Sequence, residues 1–227
     1  MANFAEASAF PHGTSRPQVL KNGDVVLVDC GCTVEGYNSD ISRTIVFGAE
    51  PTARQLEIWN LEKEAQAAGY RAAKIGATLG DVDAAARKVI TDAGFGPDYK
   101  LPGLPHRTGH GIGMDGHEWG NAVRGNTQIL EPGMCFSIEP NISIVGEFGI
   151  RHEDCVYMTE SGRFGFLSPV PRFLSHLLRK FPRTKLPGFR LQGWGFASRF
   201  PLKKLYLRRL IIPHFHESIP CFTGRIY

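Results

Sequence analysis

The sequence lacks a long apolar run and has few cysteines. No stretch of about 18 consecutive apolar residues occurs among the 227 residues, so we expect no transmembrane helix. The opening MANFAEASAFPHG has neither the basic start nor the apolar core of a secretory signal. The five cysteines are odd in number and form no CxxC pair. Reduced thiols in a cytoplasmic protein are therefore expected.

Acidic residues are scarce near the C-terminus. Residues 163–227 contain 13 Lys and Arg against one acid, Glu217, whereas residues 1–162 contain 13 Lys and Arg against 21 Asp and Glu. The overall composition, 42% apolar and 21% charged, is typical of a folded protein. We therefore divide the chain into a folded domain, 1–162, and a basic tail rich in Arg, Phe and Pro, 163–227, which we expect to be poorly ordered.

Two segments have the β-branched and aromatic residues of strands. Residues 24–48 predict a hairpin or bent three-stranded unit, and residues 134–159 predict a hairpin with VGEFG as its turn. Between them, Pro51 and Thr52 open one predicted helix, and a second begins at Asp81 and stops near Gly94. A Gly- and Pro-rich connection leads to PHRTGHGIGMDGHE, residues 105–118, which holds three of the eight histidines.

Four carboxylates lie in apolar strand contexts: Asp29, Asp40, Glu139 and Glu153. One such acid is usually a surface residue, but four at paired hairpin positions beside a histidine-rich loop indicate one or two bound divalent cations, because a buried carboxylate needs a partner. Oxygen donors with one imidazole suit Mn²⁺, Co²⁺, Fe²⁺ or Zn²⁺ in a catalytic site better than a structural zinc. A water held between two such ions would have a lowered pKa. The residues alone therefore predict a dinuclear metal hydrolase.

Four motifs carry a family resemblance. DCGCTVEGYNSDISRT, HRTGHGIGMDGHE, SIEP and GIRHEDCVYMT occur in the order and roughly the spacing of the pita-bread metallopeptidases, which the chain resembles over about residues 9–162. The short hairpin between Glu139 and Glu153 resembles the branch of Xaa-Pro aminopeptidase and prolidase. The resemblance implies an α+β pita-bread fold, a curved antiparallel sheet covered by helices. Its first half is expected to be incomplete, since the family's two helices and strand before PHG are absent.

The resemblance also implies a ligand set. The five expected metal ligands are Asp29, Asp40, His110, Glu139 and Glu153. Asp40 and Glu153 resemble the bridging carboxylates, Asp29 would hold one ion, and His110 and Glu139 the other. Glu139 would also act as the general acid/base. Two divalent ions are expected, with manganese first and cobalt, zinc or iron as alternatives.

Further residues match family positions near the substrate. His12, His106 and His117 resemble residues that line the pocket, and His117 would also act in catalysis by hydrogen-bonding the scissile carbonyl or shuttling a proton. The alternative for each is a merely exposed or hydrogen-bonded histidine. Arg151 would pair with a ligand carboxylate or with a substrate terminus, and a surface arginine is the alternative.

The expected activity is hydrolysis of the N-terminal Xaa-Pro bond by a metal-bridging hydroxide, with residues 1–162 as a partial catalytic domain. The substrate would be a peptide with proline at the second position. A homodimer is expected, without a membrane or nucleic-acid partner. Three alternatives stay open: an inactive truncated remnant, an activity like that of methionine aminopeptidase, and nucleic-acid or anionic-membrane binding through the tail. The absent helices would leave Val26 and Val28 exposed and the isolated fold weak.

Overall fold

The computed structural model describes residues 1–165, so almost all of the predicted tail lies outside the described residues. Within 1–165 the chain forms two α-helices, α1 (Ala53–Ala72) and α2 (Leu79–Asp92), and a 3-10 helix, Ala5–Ala9. The strands are β1 (Ala2–Phe4), β2 (Val25–Val34), β3 (Tyr37–Val46), β4 (Gly109–Gly111), β5 (Glu118–Ala122), β6 (Cys135–Ile138), β7 (Asn141–Ile144), β8 (Phe148–Arg151), β9 (Asp154–Thr159) and β10 (Gly162–Gly165). No helix of this described part is long and apolar enough to cross a membrane.

The first sheet is a long hairpin with a third strand at its edge. Strands β2 and β3 pair antiparallel over ten residues, and β1 pairs with β2 on the other side. Residues 24–48 therefore form the predicted hairpin, and the third strand of the sheet comes from residues 2–4, outside the segment for which a three-stranded unit was the other prediction. The expected exposure of Val26 is wrong: its side chain is buried, because Phe4 of β1 lies opposite it and the 3-10 helix packs on the same strand. Val28 is half-buried.

Both helices begin at a threonine capping box. The Thr52 hydroxyl accepts a hydrogen bond from the backbone nitrogen of Gln55, whose side chain accepts one in return. Thr78 and Asp81 repeat this arrangement, so α2 begins at Leu79, two residues before the predicted start. Asp81 is the third residue of the helix rather than its first. The helices pack against each other, and α1 also contacts β6, β7 and β8.

The second half contains four strands where one hairpin was predicted. Strand β6 pairs with β9 in a five-stranded sheet of order β10-β9-β6-β4-β5. Strands β7 and β8 pair with each other in a separate two-stranded sheet. The β6–β9 ladder ends at the pair Ile138–Asp154, so Glu139 and Glu153 lie one residue beyond it, where the strands diverge. An isolated bridge between Ser42 and Glu153 joins this point to β3. The topology thus brings the acids of both halves to one place.

Two apolar clusters hold the layers together. One packs α1 against β7 and β8 through side chains such as Ile58, Ile142 and Ile150. The other packs α2 against β6 and β9 through Val82 and Phe136, among others. The helices therefore cover one face of the strands, and the acids lie where the first sheet meets the strands of the second half.

Candidate metal centre

Five predicted residues converge at the junction of the sheets. We call this set, Asp29, Asp40, His110, Glu139 and Glu153, the acid–histidine cluster. Potential ligand atoms form three groups, and within each group these atoms lie within 4.8 Å of one another. The groups are Asp29, Asp40 and Glu153; His110, Glu139 and Glu153; and Asp40, His110 and His117. The Nε2 atom of His110 lies 3.3 Å from Glu139 Oε1 and 3.9 Å from both Asp40 Oδ2 and Glu153 Oε1. The geometry therefore allows a small cation to contact several of these side chains at once.

Glycines allow His110 to reach this position. A Cβ atom on Gly109 would lie 1.9 Å from the carbonyl oxygen of Ser137, and one on Gly111 would lie 2.0 Å from that of Trp119. Strand β4 can therefore fit between its neighbours only with glycine at both positions. The Nδ1 atom of His110 lies 3.0 Å from the Gly111 carbonyl oxygen, which can only accept a hydrogen bond. The proton is thus on Nδ1, and the Nε2 lone pair faces the carboxylates.

Burial and mutual repulsion perturb the titration of the cluster. Burial and the nearby Asp29 raise the pKa of Asp40 to about 6. Burial raises the pKa of Glu139 to about 7 and, together with the charges of Glu139 and Asp40, raises that of Glu153 well above its ordinary value. Burial lowers the pKa of His110 to about 4, so its imidazole is neutral. Such crowding of acids around a neutral imidazole is typical of a functional site.

One atom of the cluster indicates that a cation belongs there. Glu153 is 1% exposed, and its Oε2 accepts a hydrogen bond of 2.7 Å from the Ser42 hydroxyl. Its Oε1 is buried and has no hydrogen-bond partner among the described residues. A buried carboxylate oxygen without a donor is costly. Four carboxylates and an imidazole with a free Nε2 form a donor set that suits Mn²⁺, Co²⁺, Fe²⁺ or Zn²⁺, so the residues present fit such an ion.

Arg151 lies behind the carboxylates and not at the surface. It is 5% exposed, and its guanidinium lies 2.5 Å from Asp29 Oδ2 and donates to the Ser42 hydroxyl at 3.0 Å. Its backbone exchanges two hydrogen bonds with the Thr44 hydroxyl. Of the three expectations for this residue, the geometry favours pairing with a cluster carboxylate over contact with a substrate.

A cleft of about 600 Å³ opens beside the cluster. It is lined by Arg107, Asp115, His117, Glu118, Trp119 and Asn121. His117 is exposed, and its ring lies 4.3 Å from that of His110 in an edge-to-face arrangement. Burial and the charges of Arg107 and His12 lower the pKa of His117, while Asp29 opposes them. His117 thus lies at the boundary between the cluster and the cleft.

The other two predicted histidines differ in their surroundings. His12 is exposed and close enough for its charge to affect His117. His106 is half-buried, and its Nδ1 donates to the Arg107 carbonyl oxygen at 2.6 Å. Its Nε2 is buried without a hydrogen-bond partner among the described residues, and burial lowers its pKa to about 4. His106 is therefore a neutral imidazole with one ring nitrogen unused by the described part of the chain.

Sequence reasoning missed the residues that support the cluster. Asp83 of α2 forms a two-pronged ion pair with Arg87 at 2.9 and 3.1 Å and accepts a hydrogen bond from Thr108 at 2.7 Å. Arg87 also donates to the carbonyl oxygens of Leu104 and His106. This network fixes the segment that leads into β4. The only available signal was an acid and a base four residues apart on a predicted helix, which is usually a solvated pair.

Solved structures share this architecture. The prolidase from Pyrococcus furiosus is 38% identical, with a TM-score of 0.67, and the match covers 73% of this chain and 47% of that one. The Xaa-Pro dipeptidase from Bacillus anthracis is 39% identical with the same TM-score, covering 73% and 45%. The X-Pro aminopeptidase from Thermotoga maritima is 33% identical and covers 81% and 47%. The fold is therefore the pita-bread fold, present in part, as predicted.

The family follows from the sequence. The model of metallopeptidase family M24 matches residues 1–160, and the chain belongs to this family. The Xaa-Pro dipeptidases of Lactobacillus delbrueckii subsp. lactis and Lactobacillus helveticus are 46% and 44% identical over 155 residues. Each match covers 68% of this chain and 40% of the relative. The predicted family and its Xaa-Pro branch are thus confirmed, and the chain spans about two fifths of the length of these relatives.

Proposed function

We propose that residues 1–162 form the metal-dependent core of an Xaa-Pro peptidase, which hydrolyses the bond between an N-terminal residue and proline. The observation that carries this proposal is that the acid–histidine cluster falls into overlapping groups of three, and within each group the potential ligand atoms lie within 4.8 Å of one another. The names of the relatives, Xaa-Pro dipeptidase and prolidase, support the substrate class. A dipeptide is the preferred substrate because these names describe dipeptidases.

The overlap between the groups of ligand atoms supports a proposal of two cations. Glu153 belongs both to the group with Asp29 and Asp40 and to the group with His110 and Glu139. Asp40 is also shared, since it lies near His110 as well as near Asp29. Shared carboxylates are what a pair of ions requires. We therefore propose Asp40 and Glu153 as bridging ligands, with manganese as the first metal to test and cobalt, zinc and iron as alternatives.

The chain's own residues then have separate tasks. The acid–histidine cluster would hold the cations, whose positive charge would lower the pKa of a water molecule and polarise the scissile carbonyl. Glu139 takes the proton of the attacking water and passes it to the leaving proline nitrogen. His117 is neutral near pH 7 because its pKa is lowered, and it donates a hydrogen bond to the carbonyl oxygen. His12 and His106 are proposed to contact the bound peptide, as the family resemblance implies.

The remaining proposals concern the setting of the protein. The four described cysteines are free thiols, which accords with a cytoplasmic location. Homodimer formation stays a prediction, and so does the boundary between the domain and the basic tail at residue 162. Strand β10 continues through Gly165, so pairing with β9 crosses this boundary by three residues. The predicted tail otherwise lies outside the described residues.

The test is hydrolysis of an Xaa-Pro dipeptide and of a longer Xaa-Pro peptide by the full chain supplied with Mn²⁺ or Co²⁺. The wild type is expected to cleave the dipeptide faster, and Glu139→Gln to lose about 10²-fold or more, because the general acid/base is gone. A dipeptide with alanine in place of proline serves as the substrate control. Equal rates for wild type and variant would refute the proposal. Metal binding without turnover would identify an inactive remnant instead.

A further inference from the structure

A buried contact between a carboxyl group and an imidazole lies directly behind the acid–histidine cluster. Glu62 of α1 contacts His152, and both side chains are 0% exposed. The Glu62 Oε1 atom accepts a hydrogen bond of 3.1 Å from the backbone nitrogen of His152, and its Oε2 contacts the imidazole Nδ1. A carboxylate and an imidazole removed from water cost free energy unless they satisfy each other. Apolar side chains would fill the same space without this cost, so we look for a further role of the pair.

The position of His152 in the chain suggests that role. His152 lies between Arg151, which ends β8, and Glu153, which precedes β9. In extended backbone, alternate side chains point to opposite faces. His152 faces α1, whereas Arg151 and Glu153 both reach the Ser42 hydroxyl, at 3.0 and 2.7 Å. Holding His152 thus orients its two neighbours into the cluster.

A second contact of α1 supports the same segment. The ring of Trp59 lies 4.6 Å from that of His152 in an edge-to-face arrangement. The Trp59 Nε1 atom donates to the Thr44 carbonyl oxygen at 3.1 Å, and the Thr44 hydroxyl exchanges hydrogen bonds with the backbone of Arg151. Trp59 and Glu62 lie three residues apart on one face of the helix. The helix therefore holds the segment at two points one turn apart.

We propose that Glu62 is a positioning residue of the metal centre: through the backbone nitrogen and the imidazole of His152 it sets where Glu153 and Arg151 point. The proposal rests on the proposed function, since it presumes that Glu153 is a ligand. Glu62 is 0% exposed and belongs to none of the groups of potential ligand atoms. Its effect on metal affinity passes through two hydrogen-bond contacts and one peptide segment, so any side chain that makes both contacts can replace it.

The experiment measures Co²⁺ affinity and the visible absorption of bound Co²⁺ in the full chain, by competition with a chelator. Glu62→Ala and Glu62→Asp remove or shorten the reach to His152, and each is expected to weaken Co²⁺ binding about tenfold or more and to change the spectrum. Glu62→Gln keeps an acceptor for the backbone nitrogen, and its amide N–H can donate to Nδ1 once the neutral imidazole carries its proton on Nε2, so affinity within about threefold of wild type is expected. Glu64→Ala, an exposed position on the same helix, is the matched control and should bind as wild type.

The outcomes separate the two proposals. Co²⁺ affinity is measured at a temperature where circular dichroism shows that each variant is folded. A loss of stability alone therefore does not change the measured affinity. If the Glu62→Ala variant does not fold, the Glu62→Asp variant alone is compared with the wild type. Wild-type affinity and spectrum in either folded variant, or a Glu62→Gln variant as weak as Glu62→Ala, would overturn the positioning role alone. Failure of the wild type to bind Co²⁺ would instead overturn the proposed function, and the positioning role with it.

Discussion

Replacing Glu139 by glutamine is expected to stabilise the metal-free protein at pH 8 and to weaken its binding of divalent cations. The side chain is 7% exposed, and the nearest guanidinium atom of Arg151 lies 3.8 Å from its Oε2. Burial, which outweighs this attraction, raises the pKa of Glu139 from 4.5 to about 7. In the metal-free state the charged carboxylate therefore lowers the free energy of unfolding. Glutamine has nearly the same shape without the charge.

The magnitude follows from the pKa. A group whose folded pKa is raised contributes stability that is present below the unfolded value and is lost as the pH rises through the folded value. The difference between 4.5 and about 7, at about 1.4 kcal/mol for each pKa unit, amounts to about 3 kcal/mol. Glu139→Gln should therefore raise the free energy of unfolding by up to about 3 kcal/mol at pH 8 and by little at pH 4.5.

The assay is urea unfolding of wild type and variant in the presence of a chelator, at pH 4.5 and pH 8. Glu131→Gln, an exposed acid in the turn before β6, is the matched control and should show no such dependence on pH. A Glu139→Gln variant that is destabilised at pH 8, or whose difference from wild type is the same at both pH values, would refute the reasoning that burial dominates the cluster.

Three further predictions concern the ions and their support. Mn²⁺ should raise the midpoint of thermal unfolding more at pH 8 than at pH 5.5, because metal must displace protons from carboxyl groups whose pKa is raised; an equal rise at both would contradict this. Gly109→Ala should lower the free energy of unfolding in urea by about 1–3 kcal/mol, because its Cβ would lie 1.9 Å from the Ser137 carbonyl oxygen. An unchanged urea midpoint would contradict this prediction. Arg151→Met should cost about 3 kcal/mol, because it leaves Asp29 without its guanidinium partner; calorimetry showing no loss would count against that pair.

Local rules sufficed for much of the fold. Strand and helix patterns predicted the β2–β3 hairpin and both helices, because capping residues such as Thr52 and the apolar spacing of α2 act over a few positions. The sequence predicts a start of α2 at Asp81, whereas Thr78 caps the helix and Asp81 completes the capping box. The division of 134–159 into four strands depends on contact with β3 across the sheet junction, which no local pattern encodes.

The site was predictable where residue chemistry is unusual and not where it is ordinary. Acids in apolar strands are rare enough to be informative, so the residues alone indicate the four carboxylates, whereas the assignment of His110 as the fifth ligand comes from the family resemblance. Glu62 sits among other acids on a helix and resembles a solvated residue, and its partner His152 is separated from it by 90 positions. The sequence predicts an exposed Val26, but a short strand and a 3-10 helix, which no pattern in the sequence indicated, cover its strand.

The most direct test is the metal content of the purified full chain after incubation with Mn²⁺ or Co²⁺ and dialysis, measured by elemental mass spectrometry beside a Glu153→Gln variant. The account predicts about two ions per chain for the wild type and a clear loss for the variant, because Glu153 belongs to both main groups of ligand atoms. A wild-type chain that retains no transition metal, or a variant that retains as much as the wild type, would contradict it.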